Sequence, residues 1–151
     1  AFVPRLQRQR VSKSKRHELT RPIEDNFRLI SREKGLLENL TLVSTDNKEK
    51  LDPYEVEIDI RAAGLNFRDV LDALGIYPGY IEALGSDGSG IVSRIGEAVT
   101  SVQVGEPVLG LMKGSLARKA YAAQESIILK PSQLTFEEAA AVPTVFLTAS
   151  Y

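Results

Sequence analysis

The sequence predicts a mainly β protein with short helices, built as a small barrel or sandwich. Residues 55–63 alternate cleanly, with Val56, Ile58, Ile60 and Ala62 facing one way and Glu55, Glu57, Asp59 and Arg61 the other, the pattern of a half-buried strand. Further short apolar runs follow at close spacing, divided by Gly, Pro and polar turns, as in small all-β domains. Helical character is confined to three brief stretches.

The 151 residues, 43% hydrophobic and 26% charged, allow one domain with a real core. With no cysteine, a disulfide framework and a thiolate zinc site are excluded. The single histidine, His17, cannot build a histidine metal site alone. No apolar run is long enough to span a membrane, and no apolar core follows the basic N-terminus as a signal peptide would require. A cytoplasmic location and no membrane partner are therefore expected. The net charge of −1 conceals an asymmetry: residues 1–22 hold seven Lys or Arg against one acid, Glu18, while the rest holds 12 basic and 19 acidic residues. The basic stretch has no aromatic interleaving beyond Phe2 and no nucleic-acid motif, so it reads as a solvated linker and no nucleic-acid partner is expected.

Residues 1–24 are read as an inter-domain linker, opening on AFVPRL and continuing without apolar periodicity. Phe27–Arg32 predicts a strand, Lys34-Gly35 a turn, and Leu40–Ser44 a second strand. The alternating strand runs into Ala62–Gly79, AAGLNFRDVLDALGIYPG. There Asn66 is a good N-cap with Asp69 three residues on, a capping-box pattern. Phe67, Val70, Leu71 and Leu74 share one helical face, Gly75 ends the helix, and Pro78-Gly79 makes a turn that presents Tyr77. Residues 81–90 are expected to be a loop with glycines at 85, 88 and 90. Strands are expected at Ile91–Ile95, Val102–Val104, Val108–Met112, Arg118–Ala123 and Ile127–Leu129. Thr135 and Glu138 then form a capping box on a helix over Phe136–Ala141. Pro143 opens another helix, Thr144–Tyr151. A chain that begins on Ala-Phe-Val and stops one or two turns into a helix is expected to be a piece of a longer protein.

Chemistry-bearing candidates are few. The glycines at 85, 88 and 90 are spaced GxxGxG and lead into the β-branched IVSRI rather than a helix, so they lack the helix N-terminus that a pyrophosphate needs. No Walker A sequence and no nucleophile elbow occur. Tyr77 is a candidate proton donor, because a phenol is protonated at neutral pH; a turn tyrosine packing on a rim is the simpler use of the same residue. Asp69 and Asp72 read as helix-start charges on a solvated face, and Asp87 as a turn residue bonding its own backbone.

The stretch RAAGLNFRDVLDALGIYPG closely resembles the signature of enoyl reductase domains in modular type I polyketide synthases and animal-type fatty acid synthases. These belong to the zinc-free, quinone-oxidoreductase-like branch of the medium-chain dehydrogenase/reductases. The resemblance continues through LGSDGSGIVSRIGEAVTSVQVGEPVLGLMKGSLARKAYAA and PSQLTFEEAAAVPTVFLTASY. It implies a GroES-like, partly open barrel over residues 25–142 as a substrate domain, with 143–151 starting the helix that leads into a Rossmann domain absent from this chain. It implies an NADPH-dependent parent that reduces an α,β-unsaturated thioester on acyl carrier protein, with neighbouring synthase domains as partners, no zinc, and the main NADPH loop outside these residues. The isolated piece is then expected to be inactive. By position, the resemblance places Asn66, Phe67 and Thr148 near the nicotinamide and gives Tyr77 a role in protonation at the α-carbon. The other proton donors of the family, a Lys and an Asp, fall outside the chain. Two departures stand in the glycine stretch, where many relatives have Glu and Ala: this chain has Asp87 and Ser89. A stand-alone NADPH quinone or alkenal reductase and a non-catalytic structural domain of a megasynthase are the alternatives.

Overall fold

Five antiparallel strands form one curled sheet in the computed structural model, which describes residues 18–22, 25–79 and 83–151. The linker reading of 1–24 falls outside the described residues except at 18–22. A hairpin comes first, β1 (Phe27–Ser31) paired with β2 (Leu40–Ser44). The sheet proper holds β3 (Glu55–Gly64), β4 (Asp87–Ile95), β5 (Pro107–Leu111), β6 (Lys119–Ala123) and β7 (Ile127–Leu129), in the order β6-β3-β4-β5-β7. Three helices complete the fold: α1 (Phe67–Ala73), α2 (Phe136–Ala140) and α3 (Pro143–Ser150).

Beyond β5 the chain bridges back to β6, with Lys113 opposite Tyr121 and the Lys113 N–H donating to the Tyr121 carbonyl at 2.8 Å. That contact curls the sheet into a half-barrel. Its core is Val56, Ile58, Val92, Val108, Ala120 and Ile127, with Met112 and Val102. The alternation in β3 therefore points where expected, with Val56 and Ile58 fully buried. The hairpin joins the sheet through the Leu29 N–H to the Leu116 carbonyl and the Arg118 N–H to the Phe27 carbonyl, both 2.8 Å. Glu57, on the outward side of β3, is nonetheless fully buried.

Two expectations need correction. Residues 87–90 are strand rather than loop, since β4 begins at Asp87. Val102–Val104 is no strand: Val102 drops into the core, but Val104 enters an exposed turn at Gly105, which has φ +93°. At the far end of β3 a Cβ on Gly64 would lie 2.6 Å from the Ala140 carbonyl oxygen. Only glycine lets α2 sit directly on that strand end.

Candidate active-site cleft

The corner after β3 is built by carboxylates that bond backbone. Asn66 is extended (φ −102°, ψ 152°) and starts α1. One Asp69 oxygen accepts the Asn66 N–H at 3.1 Å, and the other accepts the Gly85 N–H at 2.9 Å. Asp69 is 3% exposed, so it staples α1 to the start of the next segment. Asp72 is also buried and pairs with Lys34 Nζ at 2.5 Å. The solvated-face reading of these two acids is therefore wrong. The buried side of α1 holds Asp69, Asp72 and Ala73, while Val70, Leu71 and Leu74 are half-buried and Phe67 is 75% exposed. Acids can be buried here because each carboxylate finds N–H groups or a cation.

Gly75, at φ +69°, ends the helix as expected. The N–H groups of Ile76 and Tyr77 both return to the Leu71 carbonyl, at 3.0 and 3.2 Å. The Tyr77 ring lies against the Pro78-Gly79 turn, where a Cβ on Gly79 would come 2.9 Å from Tyr77 Cε1.

The opposite wall comes from the start of β4 and of α3. The Asn66 amide donates to Ser86 Oγ at 3.1 Å. Asp87 accepts both the Thr144 N–H (3.1 Å) and the Thr144 hydroxyl (2.6 Å). Asp87 thus anchors the first turn of α3, where N–H groups lack helical partners, instead of bonding its own turn.

Between these walls lies an open cleft of about 760 Å³, lined by Arg68, Tyr77, Ser86, Met112, Lys113, Tyr121 and Thr144 among others. Its acids, Asp52 and Glu55, are both paired with Lys48. The bond to Glu55 holds the Lys48 ammonium above its ordinary range, against an opposing effect of burial. The cations Arg68 and Lys113 form no ion pair among the described residues. Of the residues singled out from sequence, Tyr77 lines the cleft and Asn66 stands behind Ser86. Phe67 is not in the wall. Thr148 is exposed one turn along α3 and donates to the Thr144 carbonyl at 2.7 Å. Ser86, Arg68 and Thr144 went unremarked in the sequence; the Pro143-Thr144 helix start is the signal that points to the last. Among the described residues no cluster of three or more His, Cys, Asp or Glu could hold a metal ion, and no helix is long and apolar enough to cross a membrane.

The model of the alcohol dehydrogenase GroES-like domain matches residues 52–146. The chain belongs to that family. Over 121 residues it is 44% identical to the pikromycin polyketide synthase component PikAII of Streptomyces venezuelae, covering 78% of this chain and 3% of that protein. The crystal structure of CurK enoyl reductase superposes with a TM-score of 0.78 at 36% identity, covering 85% of this chain and 42% of that one. Mycobacterial Rv1454c, solved in complex with NADPH, superposes at 0.74 with 26% identity, covering 83% and 39%. Quinone oxidoreductases are among the other solved neighbours. This GroES-like domain thus spans less than half of each solved chain and a few per cent of the synthase.

Proposed function

We propose that this GroES-like domain is the substrate-binding part of an enoyl reductase in a polyketide synthase, whose substrate is an α,β-unsaturated acyl thioester on the phosphopantetheine arm of acyl carrier protein. The observation that carries the reading is the placement of Tyr77. A hydrogen-bonded corner brings Tyr77 to the wall of an open cleft, in a chain similar to PikAII and to CurK enoyl reductase.

The residues present suit one end of NADPH only. The cleft has room for a nicotinamide beside an acyl chain. The glycines that follow Ser86 offer no phosphate cradle: a Cβ on Gly88 would meet Met112 Sδ at 2.7 Å, and one on Gly90 the Asp59 carbonyl at 2.2 Å. Both are filled strand positions. Asn66, Phe67 and Thr148 flank the cleft rather than line it and are the proposed contacts to the nicotinamide at its rim, while the phosphates are assigned to the rest of the parent protein. When bound, NADPH supplies hydride to the β-carbon of the enoyl group. Tyr77 serves the second half of the reaction, donating its phenolic proton toward the α-carbon or orienting the group that does. Ser86, held by Asn66, borders the same space, and holding both reactants in one cleft supplies much of the acceleration.

Fluorescence titration with NADPH separates this reading from its rivals. The 151-residue chain should bind little, and the chain extended by its downstream sequence should bind NADPH and reduce crotonyl thioester. Reduction of quinones but not of enoyl thioesters would favour the quinone oxidoreductase reading, to which the solved neighbours lend weight. In the extended enzyme Tyr77→Phe should slow turnover by about 100- to 10,000-fold, the usual worth of a positioned proton donor, or change α-methyl configuration, with NADPH affinity preserved. Unchanged rate and configuration would reduce Tyr77 to a packing residue.

A further inference from the structure

The β1–β2 hairpin lies outside residues 52–146, the stretch that the family model matches, yet its turn is pinned to the corner that carries Tyr77. Lys34, in that turn, places Nζ 2.5 Å from Asp72 Oδ1; the Asp72 side chain is 7% exposed. The Gly35 N–H donates to the Ala73 carbonyl at 2.9 Å. That carbonyl is in the last turn of α1, where intrahelical donors run out. The Cβ position of Gly75, the residue that ends the helix, is 3.2 Å from Lys34 Cβ. A cation, a backbone donor and a packed stem therefore meet within one helical turn. Tyr77 follows two residues beyond Gly75, and its N–H hangs from the Leu71 carbonyl of the same turn.

We propose that Lys34 is a positioning residue for Tyr77: paired with Asp72, it fixes the end of α1 and so the direction from which the phenol enters the cleft. The hairpin then helps to choose the face of the α-carbon that receives the proton. This rests on the role given to Tyr77 above. Without Lys34, the buried Asp72 carboxylate has no cation and must draw in water or turn toward solvent. Either response loosens the turn from which Tyr77 is suspended. Misplacing a reacting group by about 1 Å can cost on the order of 100-fold in rate, so a modest loosening is measurable.

The test uses the full parent enzyme, with Lys34→Met and Lys34→Arg made in both the wild-type and the Tyr77→Phe backgrounds. The readouts are kcat and KM for an enoyl thioester, the epimer ratio of an α-methyl product, and amide hydrogen exchange across residues 72–79. Lys34→Met should lower kcat about tenfold with KM little changed, the signature of a contact that acts in the transition state. It should also erode the epimer ratio and speed exchange in that segment. Lys34→Arg should restore all three. In the Tyr77→Phe background, Lys34→Met should have no further effect on kcat or epimer ratio. Should Lys34→Met fold poorly, Asp72→Asn, which keeps the side-chain shape, gives the same test. A lowered melting temperature with unchanged kcat and epimer ratio would overturn the proposal, as would full additivity with Tyr77→Phe. If Tyr77→Phe alone changes neither rate nor configuration, the reading of Tyr77 fails first and this inference with it.

Discussion

Carboxylates are buried beside both ends of β3, and the two ends hold them differently. Near the start, Glu57 is surrounded by side-chain charge and a hydroxyl: Lys119 Nζ at 2.9 Å, Arg94 Nε at 3.5 Å and Ser93 Oγ at 2.8 Å. Beyond the end, Asp69 and Asp87 hold backbone N–H groups of Asn66, Gly85 and Thr144. The first arrangement neutralises a buried charge. The second uses charge to fix where the chain goes, and it surrounds the cleft. A lone side-chain cation can adjust its approach to a carboxylate, whereas an N–H belongs to the backbone and transmits position; Asp72 combines the two, since the turn that carries its cation, Lys34, is itself bonded by the Gly35 N–H to the Ala73 carbonyl.

Removing a cation at the first end is the largest way to break this contrast. Lys119→Met leaves Glu57 buried with only the more distant Arg94, and should destabilise the protein by about 3 kcal/mol in denaturant unfolding. The same end should carry a pH signature. Burial pushes the Glu57 carboxyl up, but the hydrogen bonds from Lys119 and Ser93, with the Lys119 and Arg94 charges, outweigh it and hold the group below the ordinary carboxylate value. A group held low in the folded state stabilises fully above its unfolded value, and that stability is lost as pH falls through the folded one. Stability curves on the acid side should show this loss in the wild type and lack it in Glu57→Gln.

At the cleft end, Asp69→Ala should cost about 2 kcal/mol, because two N–H groups lose their acceptor. Hydrogen exchange should show the loss locally, at Asn66 and Gly85, rather than across the sheet. The smallest expected stability change sharpens the comparison most. Gly79→Ala should move stability by no more than about 0.5 kcal/mol, yet its methyl claims the space of the Tyr77 ring. A shifted Tyr77 ring resonance with an unchanged unfolding midpoint would show that the corner is tuned for placement. An unmoved ring would show that the turn has slack.

Much of the fold was legible because its signals are local. Alternation set the buried face of β3. Asn66 with Asp69, and Thr135 with Glu138, marked two helix starts, and in the second the reciprocal bonds are 2.8 and 3.2 Å. Gly75 marked a helix end. The cleft was less legible because its bonds are distant in sequence. Asp69 reads as a surface acid until Gly85, 16 residues on, supplies its N–H. Asp72 does so until Lys34, 38 residues earlier, supplies its cation. Spacing placed Phe67 with Val70, Leu71 and Leu74 on one apolar face, but periodicity cannot say what covers that face, and Phe67 remains exposed. Asp87 shows the same limit: a turn-like sequence context gave no hint that Thr144, 57 residues later, would claim both carboxylate oxygens.

The Asp87–Thr144 anchor also has a mechanical meaning. It grips α3 at one end only, while Val145, Phe146 and Leu147 just beyond it are exposed. Eight residues of helix make a rod about 12 Å long. Swung by about 10° on that fulcrum, the rod would carry its far end about 2 Å while Thr144 kept its place in the cleft wall. Motion at one end of α3 can thus be geared down before it reaches the cleft, with Asp87 as the pivot.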